Sequence, residues 1–462
     1  MFHNSNKLIM INLSKINKIH FIGIGGIGLS AAARILNQLG KEVSGSDAVE
    51  SEITVQLEKE GINVFISQEA DNVPLKADLV AYTVAIGEEN LERQRAAELS
   101  IPQMTYPELL GLLMAGQFGI GVSGTDGKTT TTAMIGKIFL AADLDPTIVI
   151  GSKVDYLGGN SCLGQDKYFI FESDEYKKAF HNYQPQIAAI TNIRADHLDV
   201  YKDLEEIKSA FAYYLKKVPE DGLIIINNDD ANSLEVISDV KAKIITYAID
   251  TDADLKAADI SYEDGRQKFK VLRNNEVLGE VRLIIPGRYN VYNALAAIAV
   301  ALAEGIDFSV ITKALADFKG AWRRFEKLGD KNGTEIITDY AHTPEGLKQV
   351  IKATYEFYPQ NRILFVFQPH QYNRTKNFFD DFVLALKTAE DVIITDIFYV
   401  RGRENPDDFD VNSKFLANQA GVAYGGNLTE TEKLLKKKIG DFDVIMLIGA
   451  GDIYNLAKDL LK

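Results

Sequence analysis

Residues 118–132 read Phe-Gly-Ile-Gly-Val-Ser-Gly-Thr-Asp-Gly-Lys-Thr-Thr-Thr-Thr, an apolar strand, a glycine turn and the first turn of a helix. A junction of this kind is a phosphate cradle. Gly124 and Gly127, with Thr125 and Asp126 between them, let the backbone approach an anion closely, and the helix that follows aims free N–H groups and its dipole at it. Met134, Ile135, Ile138 and Phe139 supply that helix with one apolar face. Lys128 adds a point charge for outer phosphates, the Thr129 hydroxyl is placed for Mg²⁺, and Thr130 continues the turn. The general phosphate-loop pattern asks for a glycine five residues before Gly127, where Val122 stands, so the signal is the narrower Gly-Thr-x-Gly-Lys-Thr. A glycine turn that merely caps an ordinary helix leaves a lysine and a threonine in register unexplained.

Upstream, the apolar stretch Lys18–Ile22 enters Gly23-Ile-Gly-Gly-Ile-Gly28, and Leu29–Leu39 follows as a helix ended by Gly40. A second strand at Glu42–Gly45 delivers Ser46 and Asp47 about where a dinucleotide fold places its ribose-binding acid. By itself this admits NAD, but the motif shows only that a diphosphate or a close helix–strand contact is accommodated. A strand around Leu79–Thr83, a turn at Ile101–Pro102 and a helix over Pro107–Gly116 continue the α/β alternation.

Downstream, apolar strands end repeatedly in polar clusters. Tyr168–Phe171 runs into Glu172-Ser-Asp-Glu175, and Ile187–Ile190 into Thr191-Asn192-Ile-Arg-Ala-Asp196-His197-Leu-Asp199. Residues just past the carboxyl ends of parallel strands line the ligand crevice, so Glu172 and His197 are expected on the same face as Lys128. A helix cap with a solvated acid also accounts for Asp196–Asp199; beside a phosphate cradle a metal role gains weight. Leu223–Ile226 is a further buried strand. From Ala257 to Ile285 alternation with turns at Asp264-Gly265 and Asn274-Asn275 predicts antiparallel hairpins. An Ala-rich helix then runs from Asn290 through Glu304 to a stop at Gly305; Asn290 and Asn293 share its face, for a base edge or for capping. Gly320–Glu326 reads as a hinge. Beyond it, strands at Glu335–Thr338, Arg362–Phe367, Val392–Thr395 and Val444–Ile448 alternate with helices, and His342, His370 and Arg374 follow strand ends, suited to a carboxylate or phosphate.

The bulk properties are permissive. A chain of 462 residues has room for about three domains. Its net charge of −15 argues against a nucleic-acid or anionic-membrane partner, though backbone amides can still hold phosphates. Cys162, the single cysteine, excludes an intrachain disulfide and a cysteine metal cluster. Met1–Asn12 has no apolar run suited to a signal, and no segment approaches the ~20 apolar residues of a membrane span, so a cytoplasmic protein without membrane insertion is expected.

Over essentially its whole length the sequence resembles the Mur ligase family of peptidoglycan synthesis. The resemblance rests on Gly124-Thr-Asp-Gly-Lys-Thr129, the Glu172 cluster, Thr191-Asn-Ile followed by Asp196-His197-Leu-Asp199, Gly287-Arg-Tyr-Asn-Val-Tyr-Asn293, Arg323-Arg-Phe325 and Asp339-Tyr-Ala-His342, in that order. Gly23-Ile-Gly-Gly-Ile-Gly28-Leu-Ser and Val366-Phe-Gln-Pro-His370-Gln-Tyr-Asn-Arg-Thr375 are most similar to the members that join L-alanine to UDP-N-acetylmuramate. The fold so implied is α/β with three domains. These are a Rossmann-like UDP-binding domain over 1–116, a central P-loop ATPase-type ATP-binding domain with a small antiparallel β edge over 117–320, and a Rossmann-like C-terminal amino-acid-binding domain over 321–462.

The resemblance recasts the first glycine loop as part of a UDP-substrate site made of Gly25, Gly26, Ile27, Gly28, Ser46, Asp47 and Thr83, and NAD is no longer favoured. It implies that the muramyl carboxylate attacks ATP to give an acyl phosphate, from which an amino-acid amine displaces phosphate. Lys128, Glu172, His197 and Asn192 are then the catalytic set. Thr129 and Glu172 hold one Mg²⁺ and His197 a second. ATP is bound by residues 124–130, by Asn290 and Asn293 at adenine, and by Arg324 and Asp339. His342, His370 and Arg374 hold the amino acid, and closure of the third domain onto the second, pivoting near Gly320, completes the machinery. The partners are small molecules, with the chain a monomer or homodimer.

Three segments depart from the L-alanine subgroup. Asp126 replaces its usual His, Gln371 the first of two arginines, and Asp339-Tyr-Ala-His-Thr-Pro344 its usual Asp-Tyr-Gly-His-His-Pro. They bear on amino-acid choice more than on family chemistry. They leave open a ligase for another amino acid or a recycled peptide, and a non-catalytic nucleotide-binding protein; an NAD-dependent oxidoreductase would leave Lys128, Glu172 and His197 without a role.

Overall fold

The computed structural model describes residues 13–198, 200–263, 265–399 and 404–462; the N-terminal stretch 1–12, Asp199 of the His197 motif and Asp264 of the first expected hairpin turn lie outside the described residues. The chain divides into two compact units. The first comprises Met1–Lys256, Arg273–Asn275 and Ala294–Ala314, the second Ala257–Leu272, Glu276–Asn293 and Leu315–Lys462.

The first unit holds two sheets. One is built from β1 (Lys18–Ile22), β2 (Glu42–Ser46), β3 (Asn63–Phe65), β4 (Leu79–Tyr82) and β5 (Gln103–Thr105), with helices α1 (Ile27–Gln38), α2 (Glu52–Lys59), α3 (Leu91–Glu98) and α4 (Tyr106–Met114) between and after them. Its order is β3-β2-β1-β4-β5 and every pair is parallel. The chain winds to one side of β1 and then to the other, so the crevice of this sheet opens beyond β1, at the Gly23–Gly28 turn.

The other sheet contains β6 (Phe118–Ser123), β7 (Thr147–Val154), β8 (Gly159–Cys162), β9 (Tyr168–Glu172), β10 (Ile187–Ile190), β11 (Leu223–Asn227) and β12 (Lys243–Ala248). The helices of this part are α5 (Lys128–Ala141), α6 (Leu204–Leu215) and α7 (Ala231–Glu235). The strand order is β12-β11-β10-β6-β9-β7-β8, parallel except for β8. β10 and β11 are continuous apolar runs because both faces of a parallel sheet are covered. The winding reverses between β6 and β10, which brings the Gly124 loop and Thr191 to one crevice.

The sheets on either side of residue 116 share one core. Ile35, Leu36, Leu109 and Leu113 of the first lie in the same apolar cluster as Phe171, Phe211 and Tyr214 of the second. Asn160 reinforces this by donating to the Ile27 carbonyl at 2.7 Å and accepting from Arg34 at 2.9 Å.

The strands β13 (Leu255–Glu263), β14 (Arg266–Arg273) and β15 (Glu276–Leu283) are neighbours in that order, with Gly265 at positive φ before β14 and Asn274 and Asn275 at positive φ in the two-residue turn between β14 and β15. Helices α8 (Arg288–Ala303) and α9 (Phe308–Ala316) follow. The last sheet takes β16 (Glu326–Lys331), β17 (Thr334–Asp339), β18 (Ile363–Phe367), β19 (Asp391–Thr395), β20 (Ala423–Gly426) and β21 (Val444–Ile448) in the order β16-β17-β21-β18-β19-β20. Only β16 is antiparallel. Along β18 the side chains alternate: Phe365 and Phe367 pack beneath α10 (Pro344–Phe357), while Leu364 and Val366 face the opposite cluster with Leu456 and Leu460 near the C-terminus.

Candidate active site

At the end of β6 the chain turns on Gly124, whose φ is 136°. A Cβ there would lie 2.0 Å from the Thr191 hydroxyl, so no other residue fits. The loop is held by the end of β10. Thr191 Oγ1 donates to the Asp126 carbonyl at 2.6 Å. The Asn192 amide accepts from Asp126 N–H at 3.1 Å and donates to the Asp126 carbonyl at 3.0 Å. Thr125 N–H donates to the Asn192 carbonyl at 2.9 Å, and Arg194 N–H to Thr125 Oγ1 at 2.9 Å. Asn192 is thus a positioning residue, which shapes the cradle through both ends of its amide. Gly127, at φ 87°, starts α5, and Thr129 and Thr130 are buried in its first turn.

Lys128 folds back over the loop. Its ammonium donates to the Gly124 carbonyl at 2.6 Å and to both carboxylate oxygens of Glu175 at 2.9 and 3.1 Å. Glu172, the last residue of β9, instead accepts from Thr129 Oγ1 at 3.1 Å and from Gly151 N–H. His197 lies beside Glu175 and Asp196. Its Nε2 lies 3.7 Å from Glu175 Oε1, and its ring packs at 4.9 Å on Tyr176. Asp174, Glu175 and His197 each offer a ligand atom within 4.8 Å of the others.

The expected metal set therefore falls into two places, Thr129 with Glu172, and His197 with Glu175 and Asp174. Sequence reasoning singled out Glu172 from its cluster and missed Glu175. The available signal was the cluster itself, three carboxylates in four residues at a strand end, of which the first belongs to the strand and the last turns back to the loop.

The electrostatics follow from crowding three carboxylates around one lysine. Burial raises Glu172, against the Gly151 N–H, Lys128 and Thr129. Burial also pushes Glu175, 3% exposed, up to about 8 against the pull of Lys128. Burial alone would lower Lys128; Glu175, Asp174 and Glu172 outweigh it and raise the ammonium above its ordinary range. Such a site has more negative charge than its own cation neutralises. The donor set of oxygen ligands with one imidazole fits divalent cations at both places.

At the first sheet, Gly23 has φ 83° and its N–H donates to the Ser46 carbonyl at 2.8 Å. Gly25 N–H donates to Asp47 Oδ2 at 2.9 Å, and Thr83 packs where a Gly23 Cβ would be, at 2.8 Å. Gly26 caps α1, and Ile27 and Gly28 form its first turn. Gly28 is small because the Tyr106 ring would lie 2.6 Å from a Cβ. Ser46 does not face the crevice as expected: it is fully buried and its hydroxyl donates to the buried Glu92 at 2.5 Å. It supports the turn from beneath.

In the second unit, Asn290 and Asn293 are buried and bonded to each other at 3.1 Å, while Asn290 also donates to the Pro286 carbonyl at 2.6 Å. Asn290 lies within α8 and its side chain donates back to the preceding turn, so it is not the helix cap; Asn290 and Asn293 do share a face. Asp339 accepts from Phe325 N–H and Ala341 N–H, each at 2.8 Å; burial raises its carboxyl, opposed by Arg324. Arg324 lies 4.5 Å over the Tyr340 ring. The three residues expected to hold an amino acid come together: His342 and His370 have ring centroids 5.8 Å apart, and Arg374 Nη1 lies 3.3 Å from His370 Nδ1. Gln371 takes the strained φ of 69° and accepts from Arg374 at 3.3 Å.

The sequence matches three family models: Mur ligase family, catalytic domain over residues 18–118, Mur ligase middle domain over 122–301, and Mur ligase, glutamate ligase domain over 323–451. It is 42% identical to the UDP-N-acetylmuramate--L-alanine ligase of Acetivibrio thermocellus, covering 99% of this chain and 98% of that one. It is 39% identical to the ligase of the same name from Caldanaerobacter subterraneus, covering 98% and 99%. Among solved structures, the UDP-N-acetylmuramate-alanine ligase of Thermotoga maritima superposes with a TM-score of 0.82 at 29% identity, covering 96% of this chain and 98% of that one.

Proposed function

This chain belongs to the Mur ligase family, and from that premise we propose that it joins L-alanine to the carboxylate of UDP-N-acetylmuramate, with cleavage of ATP to ADP and phosphate. The observation that carries the reading is the convergence of Lys128, Glu175 and His197 beside the Gly124 loop, in a chain similar over its full length to ligases of that name.

The reaction asks mostly for positioning and for neutralisation of charge on the transferring phosphoryl group. The amides from Gly127 to Thr130, at the start of α5, receive the phosphates of ATP. The Lys128 ammonium exchanges its present acceptors for phosphate oxygens. Thr129 with Glu172, and Glu175 with His197 and Asp174, would hold Mg²⁺, which supplies positive charge to the phosphates and to the muramyl carboxylate. Asn192 and Thr191 keep the loop in shape while its ligand changes charge. In the second unit, Asn290 and Asn293 present a paired amide face to adenine, with Arg324 and Asp339 as further nucleotide contacts. Arg374, with His370 and His342, takes the carboxylate of the amino acid, the bidentate partner a guanidinium suits. The first crevice, through Gly25, Gly26, Asp47 and Thr83, takes the UDP moiety. Among the described residues no helix is long and apolar enough to cross a membrane. We place the chain in the cytoplasm.

Mass spectrometry of a reaction containing UDP-N-acetylmuramate, L-alanine and Mg-ATP tests the reading. The expected product is the alanyl amide of the nucleotide with one ADP per amide. A protein that consumes ATP without forming that amide contradicts the assignment of the acceptor.

A further inference from the structure

The first crevice is short of positive charge. The loops at the carboxyl ends of its strands, residues 23–26, 47–51, 66–69 and 83–90, contain Asp47, Glu50, Glu69, Glu88 and Glu89 and neither lysine nor arginine. One of the glycine-turn amides, that of Gly25, already donates to the Asp47 carboxylate at 2.9 Å. Arg93, from α3, spends its guanidinium on the Tyr82 ring at 4.1 Å, on Gln103 and on the Ile86 carbonyl. A nucleoside diphosphate laid over this turn meets carboxylates and no cation from its own sheet.

The missing charge comes from the neighbouring sheet. Two residues after Glu175, Lys177 extends its ammonium to the carbonyl of Val84 at 3.0 Å. Val84 belongs to the loop whose Thr83 packs against Gly23. Lys177 is exposed, and its chain path is held in an unfavourable conformation: Lys177 and Lys178 both take left-handed backbone angles, with φ of 50° and 58°. Two consecutive non-glycine residues in that region cost energy, and such strain persists where it places a functional group. Here it swings one lysine out to the first crevice while Lys178 pairs with Glu206 at 2.9 Å.

Resting on the ligase reading, we propose that Lys177 is a substrate-binding residue that neutralises the diphosphate of the UDP-sugar, a cation lent by the ATP-binding sheet to a crevice that has none. The Val84 carbonyl holds the ammonium until the diphosphate takes it. Because Lys177 follows Glu175 and Tyr176 directly, binding of the sugar nucleotide is linked covalently to the segment that carries the phosphoryl-transfer carboxylate.

The test is calorimetric titration of the full chain and of Lys177→Ala, Lys177→Arg and Lys177→Met with UDP-N-acetylmuramate and with UDP-N-acetylglucosamine, which lacks the carboxylate. Loss of one charge-assisted contact predicts about tenfold weaker binding of both nucleotides to the Ala and Met variants, with most affinity kept by Arg. The salt dependence of binding becomes shallower in Ala and Met, a readout that loss of a structural bond alone would not move. The KM for ATP stays within about twofold. Unchanged binding in Lys177→Ala overturns the proposal, and so does a loss confined to UDP-N-acetylmuramate, which would assign the ammonium to the carboxylate. Wild-type protein that binds neither nucleotide contradicts the ligase reading itself and removes the proposal with it.

Discussion

Glu175 is the residue on which the candidate chemistry turns. It joins Lys128 to His197, and its burial raises the carboxyl to about 8 against the pull of Lys128. Replacement by Gln keeps the shape and removes the charge, so kcat is expected to fall on the order of a hundredfold, the scale of losing one preorganised electrostatic contact. Stability gives a second readout. A carboxyl whose folded pKa lies above its unfolded value near ~4.3 stabilises the fold fully below that value and loses the contribution as pH rises toward about 8. Thermal melts of the metal-free wild type should therefore decline from pH 5 to 8 more steeply than those of Glu175→Gln; parallel declines would show that the carboxyl is not held protonated. At Arg374, truncation to Ala should raise the KM for the amino acid about tenfold to a hundredfold and leave that for ATP nearly unchanged, in line with one lost charged hydrogen bond. Equal effects on both would remove the amino-acid carboxylate from this residue.

The elements around the site show what sequence reading can and cannot reach. The turn from β6 into α5 is legible because glycine, lysine and threonine each answer a geometric demand, and Gly124→Ala is expected to abolish ATP binding while leaving the circular dichroism unchanged, since a Cβ has 2.0 Å to the Thr191 hydroxyl. ATP affinity within a few-fold of wild type would contradict the close-contact account. Parallel strands β10 and β11 were readable as apolar runs. β16 was not: Glu-Lys-Leu-Gly-Asp-Lys is a polar, bulged edge strand whose only strand partner is β17, so it has neither alternation nor an apolar run. Ser46 and Glu92 were unreadable for another reason, since a buried serine–carboxylate bond joins residues 46 positions apart.

The segment before β16 was read as a hinge, and the structure adds a clamp to it. Arg323, buried and at φ 60°, donates through Nη2 to the Gly449 and Gly451 carbonyls at 2.5 and 2.8 Å. Its loss strands two buried acceptors, and Arg323→Ala should destabilise the chain by about 2 kcal/mol or more in denaturant titration. A change below about 0.5 kcal/mol would show that the clamp is not structural.

At the scale of the molecule, the order of motifs carried more than any one of them. Either glycine turn alone admits several chemistries; the succession from Gly23 to Asp339 across three sheets admits one family. What the order could not supply is which side chain at a strand end faces which neighbour, as Glu172 does Thr129 and Glu175 does Lys128. Nor could it show that the first two sheets share one core, which is made by Ile35 and Leu113 meeting Phe171 and Phe211. The departures at Asp126, Gln371 and Thr343 bear on the identity of the incoming amine, which turnover across a panel of amines reads directly.

The most direct measurement is phosphate release by the purified chain with Mg-ATP and UDP-N-acetylmuramate, across L-alanine, glycine, L-serine and a tripeptide, with Lys128→Ala as the control. The prediction is strong dependence on both UDP-N-acetylmuramate and L-alanine and none of that turnover in the folded variant. Release that favours the tripeptide or another amino acid, or that persists in Lys128→Ala, would contradict it.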